Sequence, residues 1–205
     1  MSEQTRGLPF SDAMIKRFFD FFVSLFTLLL LFPIIFIAWF IAMMETQSNG
    51  FFVQQRVGRN GKTFNVIKIK TMKKVEGIDT TITSSNDVRI TKSGSFFRKT
   101  KIDELPQLWN VLKGEMSFVG PRPDVPGYAD YLEGEDRIVL SVRPGITGPA
   151  SLKYKDEEAV LAEQRDPKLY NDNVIWPDKV KINCEYIKNY SFNKDIHYIW
   201  KTIMG

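Results

Sequence analysis

The chain has 205 residues, 43% of them hydrophobic and 25% charged, with a formal net charge of +4. That is enough for one packed domain with something added, and the mild basic excess favours anionic partners without requiring them. With one cysteine (Cys184) and one histidine (His197), an internal disulfide and a zinc site of several His and Cys ligands are excluded, and a Ser-His-Asp or Cys-His pair nearly so. Chemistry falls to carboxylates, Lys, Arg, hydroxyls and a hard metal ion.

From Phe21 to Met44 there are 24 residues without a charge. As a straight helix they reach about 36 Å, enough for a hydrocarbon core of about 30 Å. Two features argue against a simple span. Pro33 sits mid-run, removes a helix hydrogen bond and crowds the preceding turn, leaving two halves of about 18 Å each. Both flanks are basic: Arg6, Lys16 and Arg17 before the run, Arg56, Arg59, Lys62 and Lys68 after it. Basic flanks prefer the cytoplasmic side, so a re-entrant helix–break–helix hairpin, entering and leaving on one face, satisfies both. A Pro-kinked spanning anchor is the alternative. Asp20 either lies at the interface or pairs with Arg17.

FFVQQRV and TFNVIKIKTM, separated by a segment carrying Asn60-Gly61, predict a β-hairpin over residues 51–72. Residues 76–95 are polar and Ser/Thr-rich and read as a loop, with a helix beginning at FFRKT. A second helix follows Pro106, with Leu105, Leu108, Trp109, Val111 and Leu112 on its apolar side and Gly114 as its stop. SFVGPRPDVPG and VRPGITGP read as rigid Pro/Gly segments; helices are expected over 157–164 and 180–190. The tail carries Ile196, Ile199, Trp200 and Ile203 on one helical face, for core packing or for a membrane interface. The division is a membrane hairpin over 1–48 and a globular domain over 49–205, in an α+β fold of one hairpin and several short helices, some amphipathic.

The stretch Arg98-Lys99-Thr100-Lys101-Ile102-Asp103-Glu104-Leu105-Pro106 carries the chemistry. Two adjacent carboxylates stand close to three cations at a helix start. Acidic residues favour helix N-termini through the macrodipole, which is the bland explanation; the surplus of cations is not covered by it. A site for a diphosphate with Mg²⁺ needs carboxylate ligands and Arg or Lys on phosphate oxygens; where the transfer is covalent, a carboxylate can be its nucleophile, since this stretch has no histidine. Lys68, Lys70, Arg122 and Arg143 add cations on the hairpin and at Pro/Gly turns.

KRFFDFFVSLFTLLLLFPIIF, QQRVGRNGKTF, VIKIKTM, KIDELPQLWNVLKGEMSFVGPRP and VRPGITG occur in order, and through them the chain resembles the bacterial sugar transferases, the small monotopic phosphoglycosyl transferases. The resemblance is strong over residues 14–150 and looser beyond. It implies a re-entrant helix broken at Pro33, on the cytoplasmic face of the bacterial inner membrane. It also implies transfer of a phosphosugar from a UDP-sugar to polyprenyl (undecaprenyl) phosphate, with release of UMP, as the first membrane step of a glycan pathway. Asp103 is implied as the nucleophile that carries the phosphosugar, with Glu104 and Mg²⁺ assisting, and Arg98 and Arg122 as phosphate-handling residues. One departure is PASLKYKDEE after the ITG turn, where many relatives carry a glutamine-containing, asparagine-rich stretch. It bears on sugar choice or partner contact.

Two other readings compete. One is a single-span anchor displaying a binding or scaffold domain. The other is a basic nucleic-acid module stacking bases on Phe51, Phe52 and Phe64; hairpin aromatics are more often core, and no nucleic-acid partner is expected.

Overall fold

The structure, a computed structural model, describes residues 7–74 and 87–205. Helix α1 (Phe10–Thr46) leads into an antiparallel hairpin, β1 (Phe51–Val57) and β2 (Thr63–Ile69). Then come α2 (Lys92–Thr100), a 3-10 turn at Ile102–Glu104, α3 (Gln107–Lys113) and β3 (Ser117–Val119). After two more 3-10 turns follow β4 (Gly145–Thr147), α4 (Pro149–Lys153), α5 (Glu157–Ala162), α6 (Pro167–Tyr170), α7 (Trp176–Lys188) and α8 (Phe192–Met204). The mixed class is as expected. The hairpin has Phe51 opposite Ile69 and Val57 opposite Thr63, and turns through Asn60 and Gly61, both at positive φ, as an Asn-Gly pair favours.

The apolar run is one helix, without the expected non-helical break at Pro33. Proline's φ of about −65° is itself helical, so the ring removes one hydrogen bond without ending the helical path. Lys16, Asp20, Ser24, Ile35, Ala38 and Ala42 are the buried positions, with Leu28 and Leu31 partly buried between them. Their spacing of three and four residues is one stripe on a 3.6-residue helix, so both arms lie against the same domain. The N-terminal arm is tied by polar groups. Lys16 pairs with buried Asp195 of α8, which also accepts from the Tyr186 hydroxyl at 2.6 Å. Asp20 is buried and accepts from the Ser117 hydroxyl and the Phe118 amide, both at 3.1 Å; it neither lies at an interface nor pairs with Arg17. The C-terminal arm is tied by Glu45, which accepts from Ser93 of α2 at 2.5 Å, and by Ile35, Ala38 and Ala42 packed on Ile69 and Phe97. The opposite face, including Phe26, Leu29, Leu30, Phe32, Phe36 and Ile37, is exposed.

Helix α2 begins at Lys92, four residues before the expected start at Phe96, because the Thr91 side chain caps it by accepting from the Gly94 amide at 2.9 Å. The rest of the expected 76–95 loop, up to residue 86, lies outside the described residues. Strands β3 and β4 form a parallel pair in segments read as rigid turns. Their backbones approach so closely that a Cβ on Gly145 would lie 2.2 Å from the Gly120 nitrogen. The Gly145 amide donates to the Pro121 carbonyl at 2.8 Å, which fixes the Pro121-Arg122-Pro123 turn. Helix α8 buries Asp195 and packs Tyr198 and Ile199 on the core, but leaves Ile196, Trp200, Ile203 and Met204 exposed.

Candidate active site

Asp103 and Glu104 occupy the 3-10 turn between α2 and α3. Lys101, in the left-handed region at φ 59°, ends α2 and turns the chain. Ile102 and Leu105 on either side of the dyad pack into the cluster formed by α1, Ile69 and Phe97. The carboxylates are thereby turned towards β2 and the Pro-Arg-Pro turn. Neither caps α3, which has no side-chain cap. The macrodipole reading alone does not account for them, because Glu104 is taken up by cations instead. Its Oε1 accepts from Lys68 Nζ and from Arg122 Nη2, both at 2.9 Å.

The two neighbours differ electrostatically. Burial works against ionisation of Glu104, but Arg122 and Lys68 outweigh it and hold the carboxyl well below the usual range. Asp103, 9% exposed, is pushed above the ordinary value by burial and then by Glu104, with Lys68, Lys101 and Arg98 pulling the other way. Its Oδ1 is buried with no hydrogen-bond partner. An unpaired buried carboxylate oxygen is expensive, and next to a surplus of cations it is what a group waiting for a ligand or electrophile looks like.

Lys68 and Arg122 therefore meet at the dyad. Arg98 stands beside it, donating from Nε to Thr71 Oγ1 at 3.1 Å and acting on Asp103 electrostatically. Lys70 does not join; its Nζ donates to Ser48 Oγ at 2.8 Å. Arg143 does not join either. Its Nε donates to the Gly114 carbonyl at 2.8 Å, at the far end of α3, and its charged neighbours are Arg17, Arg59 and Asp20. Sequence adjacency to a Pro/Gly turn does not say which end of a helix the turn folds against.

Two residues beside the dyad were not assigned to the site from the sequence, where Arg56 was read only as part of a basic flank. Arg56 holds Gln54 Oε1 at 2.6 Å and the Pro123 carbonyl at 3.2 Å and lies in the field of Arg122, Asp124 and Glu104. Asp124 is pushed up to about 7 by burial, against the pull of Lys179, Arg56 and Arg122. The signal for Asp124 was a carboxylate inside a rigid Pro turn, two places after Arg122.

Residues 11–205 match the bacterial sugar transferase family. The chain belongs to that family. It is 36% identical over 208 residues to the undecaprenyl-phosphate glucose phosphotransferase of Komagataeibacter xylinus, covering 98% of this chain and 37% of that protein. It is 34% identical over 209 residues to an uncharacterized sugar transferase of Haemophilus influenzae, covering 94% and 41%. It is 39% identical over 149 residues to the putative undecaprenyl-phosphate N-acetylgalactosaminyl 1-phosphate transferase of Bacillus subtilis, covering 70% and 79%. The chain spans about two fifths of the length of several of the curated relatives it matches. Two of these relatives are named for different sugars.

For a sugar transferase of this family, the dyad can be tested against Mg²⁺. No group of three or more His, Cys, Asp or Glu able to hold a metal occurs among the described residues. Mg²⁺ is commonly held by one or two carboxylates, with substrate phosphates and water supplying the rest. Asp103 Oδ1 takes no hydrogen bond, and both cations on Glu104 use Oε1, which leaves Oε2 for a metal. The donor set fits that mode of binding.

Proposed function

We infer that this chain transfers a phosphosugar from a UDP-sugar to polyprenyl phosphate, with Asp103 as the nucleophile. A carboxylate oxygen of Asp103 attacks the β-phosphorus. The bond from that phosphorus to the oxygen bridging the α-phosphate breaks, and UMP leaves with the electron pair. The phosphosugar remains on Asp103 as an acyl phosphate. An oxygen of polyprenyl phosphate then attacks the same phosphorus and expels the carboxylate, giving polyprenyl diphosphosugar. Arg122, Lys68 and Arg98 balance phosphoryl charge that grows in the transition state, and Glu104 keeps Lys68 and Arg122 in place. Glu104 and the donor phosphates would hold Mg²⁺, which supplies further charge neutralisation.

The observation that carries this reading is the buried, unpartnered Oδ1 of Asp103 beside a carboxylate already neutralised by two cations. The family and the relatives' names support the reaction class. Asp20 also buries an unpartnered oxygen, but its other oxygen is tied to Ser117 and Phe118. The runner-up, a scaffold without catalysis, offers no reason to set such an oxygen beside Glu104, Lys68 and Arg122.

The membrane side of the proposal is that α1 does not cross the bilayer and that both its ends stay on one face, the cytoplasmic one. It is the one helix among the described residues long and apolar enough to cross a bilayer. A crossing would separate its ends, yet Lys16 and Glu45 are held by α8 and α2 of the same domain. The basic flanks favour the cytoplasmic side, and the exposed Trp200 and Ile203 of α8 suit the interface.

A screen for UMP release over a panel of UDP-sugars with undecaprenyl phosphate tests the function. One or more sugars should release UMP in step with lipid-linked product. Silence across the panel, from protein shown to be folded and membrane-bound, would favour the scaffold.

A further inference from the structure

Arg143 is left over from the transfer reaction, and it has company. At the C-terminal end of α3, Arg17 of α1 donates to the carbonyls of Val111 at 2.7 Å and Leu112 at 2.8 Å. Arg143 Nε donates to the Gly114 carbonyl at 2.8 Å. Arg59, at the tip of the β1–β2 hairpin, donates from Nε to the Ser141 carbonyl at 2.9 Å. Gly114 is closely covered: a Cβ there would lie 3.2 Å from the Arg17 guanidinium carbon.

None of these arginines forms an ion pair among the described residues. A helix C-terminus attracts one cation, which accounts for Arg17. It does not account for a second and a third, which repel the first. Arg143 is held below its ordinary value by burial and then by Arg17 and Arg59, which outweigh the opposing pull of Asp20. Arg59 and Arg143 each commit only Nε, so both terminal nitrogens of each are without a hydrogen bond among the described residues. Planar forks of this kind match phosphate oxygens two at a time.

The cluster stands where the apolar helix meets the polar domain. Arg17 lies over the Phe21 ring at 5.8 Å, and Ile15, Phe18, Phe21 and Phe22 are exposed next to it. Gly7, just before α1, approaches Ser141 so closely that a Cβ there would lie 3.0 Å from that side chain. With α1 embedded in one leaflet, this junction is the depth at which phospholipid phosphates lie.

We propose that Arg17, Arg59 and Arg143 form a binding site for the phosphate of an anionic membrane phospholipid, separated from the catalytic dyad by the length of α3. The proposal rests on the reading of α1 as membrane-embedded and not on the transfer reaction.

The test uses the full chain in nanodiscs of phosphatidylglycerol and phosphatidylcholine, with retained lipid identified by native mass spectrometry after release. Wild type and Asp103→Asn should retain phosphatidylglycerol in preference to phosphatidylcholine. Arg143→Gln should weaken that preference by roughly fivefold, the effect expected of one cation at a membrane surface. Arg59→Gln, on an exposed hairpin tip, should do the same without touching α3, which guards against misfolding of the first variant. Equal retention of both lipids by wild type, or an unchanged preference in both variants, would overturn the site. If inorganic phosphate alone stabilises the protein against heat as much as phosphatidylglycerol does, and only with both arginines present, the ligand is soluble phosphate and the lipid assignment is wrong. Loss of UMP release with the lipid preference intact would sink the proposed reaction and leave this site standing.

Discussion

The two ends of α3 carry similar charges and treat them in opposite ways. At its start, Lys68 and Arg122 converge on one oxygen of Glu104, and Asp103 beside them keeps a buried oxygen unpartnered. At its end, Arg17 and Arg143 lie on backbone carbonyls with no carboxylate paired to either. The first arrangement holds neutralised charge around one reactive group. The second holds positive charge that no carboxylate pairs with directly, Asp20 acting on Arg143 only through its field. A basic residue near a Pro/Gly turn can serve either arrangement, and only the packing of α3 on α1 and β2 decides which.

Asp103→Asn is the sharpest way to break the comparison. The fold and donor binding should survive while turnover falls by several orders of magnitude, because an amide is a poor nucleophile at phosphorus. Circular dichroism and UDP-sugar binding alongside UMP release would check all three. If the dyad only stabilised a helix start, the loss would be about 1 kcal/mol of stability with activity kept.

Next in size is the tie that holds α1 to the domain. Lys16→Met leaves Asp195 buried without its cation, at a cost of roughly 3–5 kcal/mol. The midpoint of thermal unfolding should drop, and protease should reach the α1–domain junction. Unchanged stability would mean the Tyr186 and Tyr190 hydroxyls suffice for Asp195.

The arginines separate the two ends directly. Arg122→Ala should lower kcat/KM by about tenfold or more, ~1.4 kcal/mol of lost transition-state stabilisation, and lysine should rescue it only in part. Arg143→Ala, assayed in detergent, should change kcat/KM far less. Similar losses in both would put Arg143 back in the catalytic site.

The smallest effect is a pH shift. Asp103 must be ionised to attack, so turnover rises with pH through a pKa that burial and Glu104 raise and that Lys101 helps to lower. Lys101→Asn, which tolerates the left-handed backbone there, removes that pull and should move the acid limb to higher pH. A limb that stays put would mean the titrating group is not Asp103.

Local features were legible in the sequence. Asn60-Gly61 marked the hairpin, Pro106 and Gly114 bounded α3, and the DE pair among cations marked the site. What was not legible depends on distance along the chain. The partner of Lys16 is 179 residues away. Strands β3 and β4 have three residues each, too few for an alternation to register. Pro33 reads as a break locally, yet the inward stripe on both sides of it packs on one domain and the helix continues. Asp124 had only its place two residues after Arg122 to mark it, and it matters because Arg122 reaches Glu104, a contact across 18 residues.

The most direct test of the central claim is to mix the membrane-bound protein with a UDP-sugar that it turns over, omit polyprenyl phosphate, and map the trapped adduct by peptide mass spectrometry. One phosphosugar on Asp103, and none on Glu104, is the predicted result. An adduct on any other residue, or full turnover by Asp103→Asn, would contradict it.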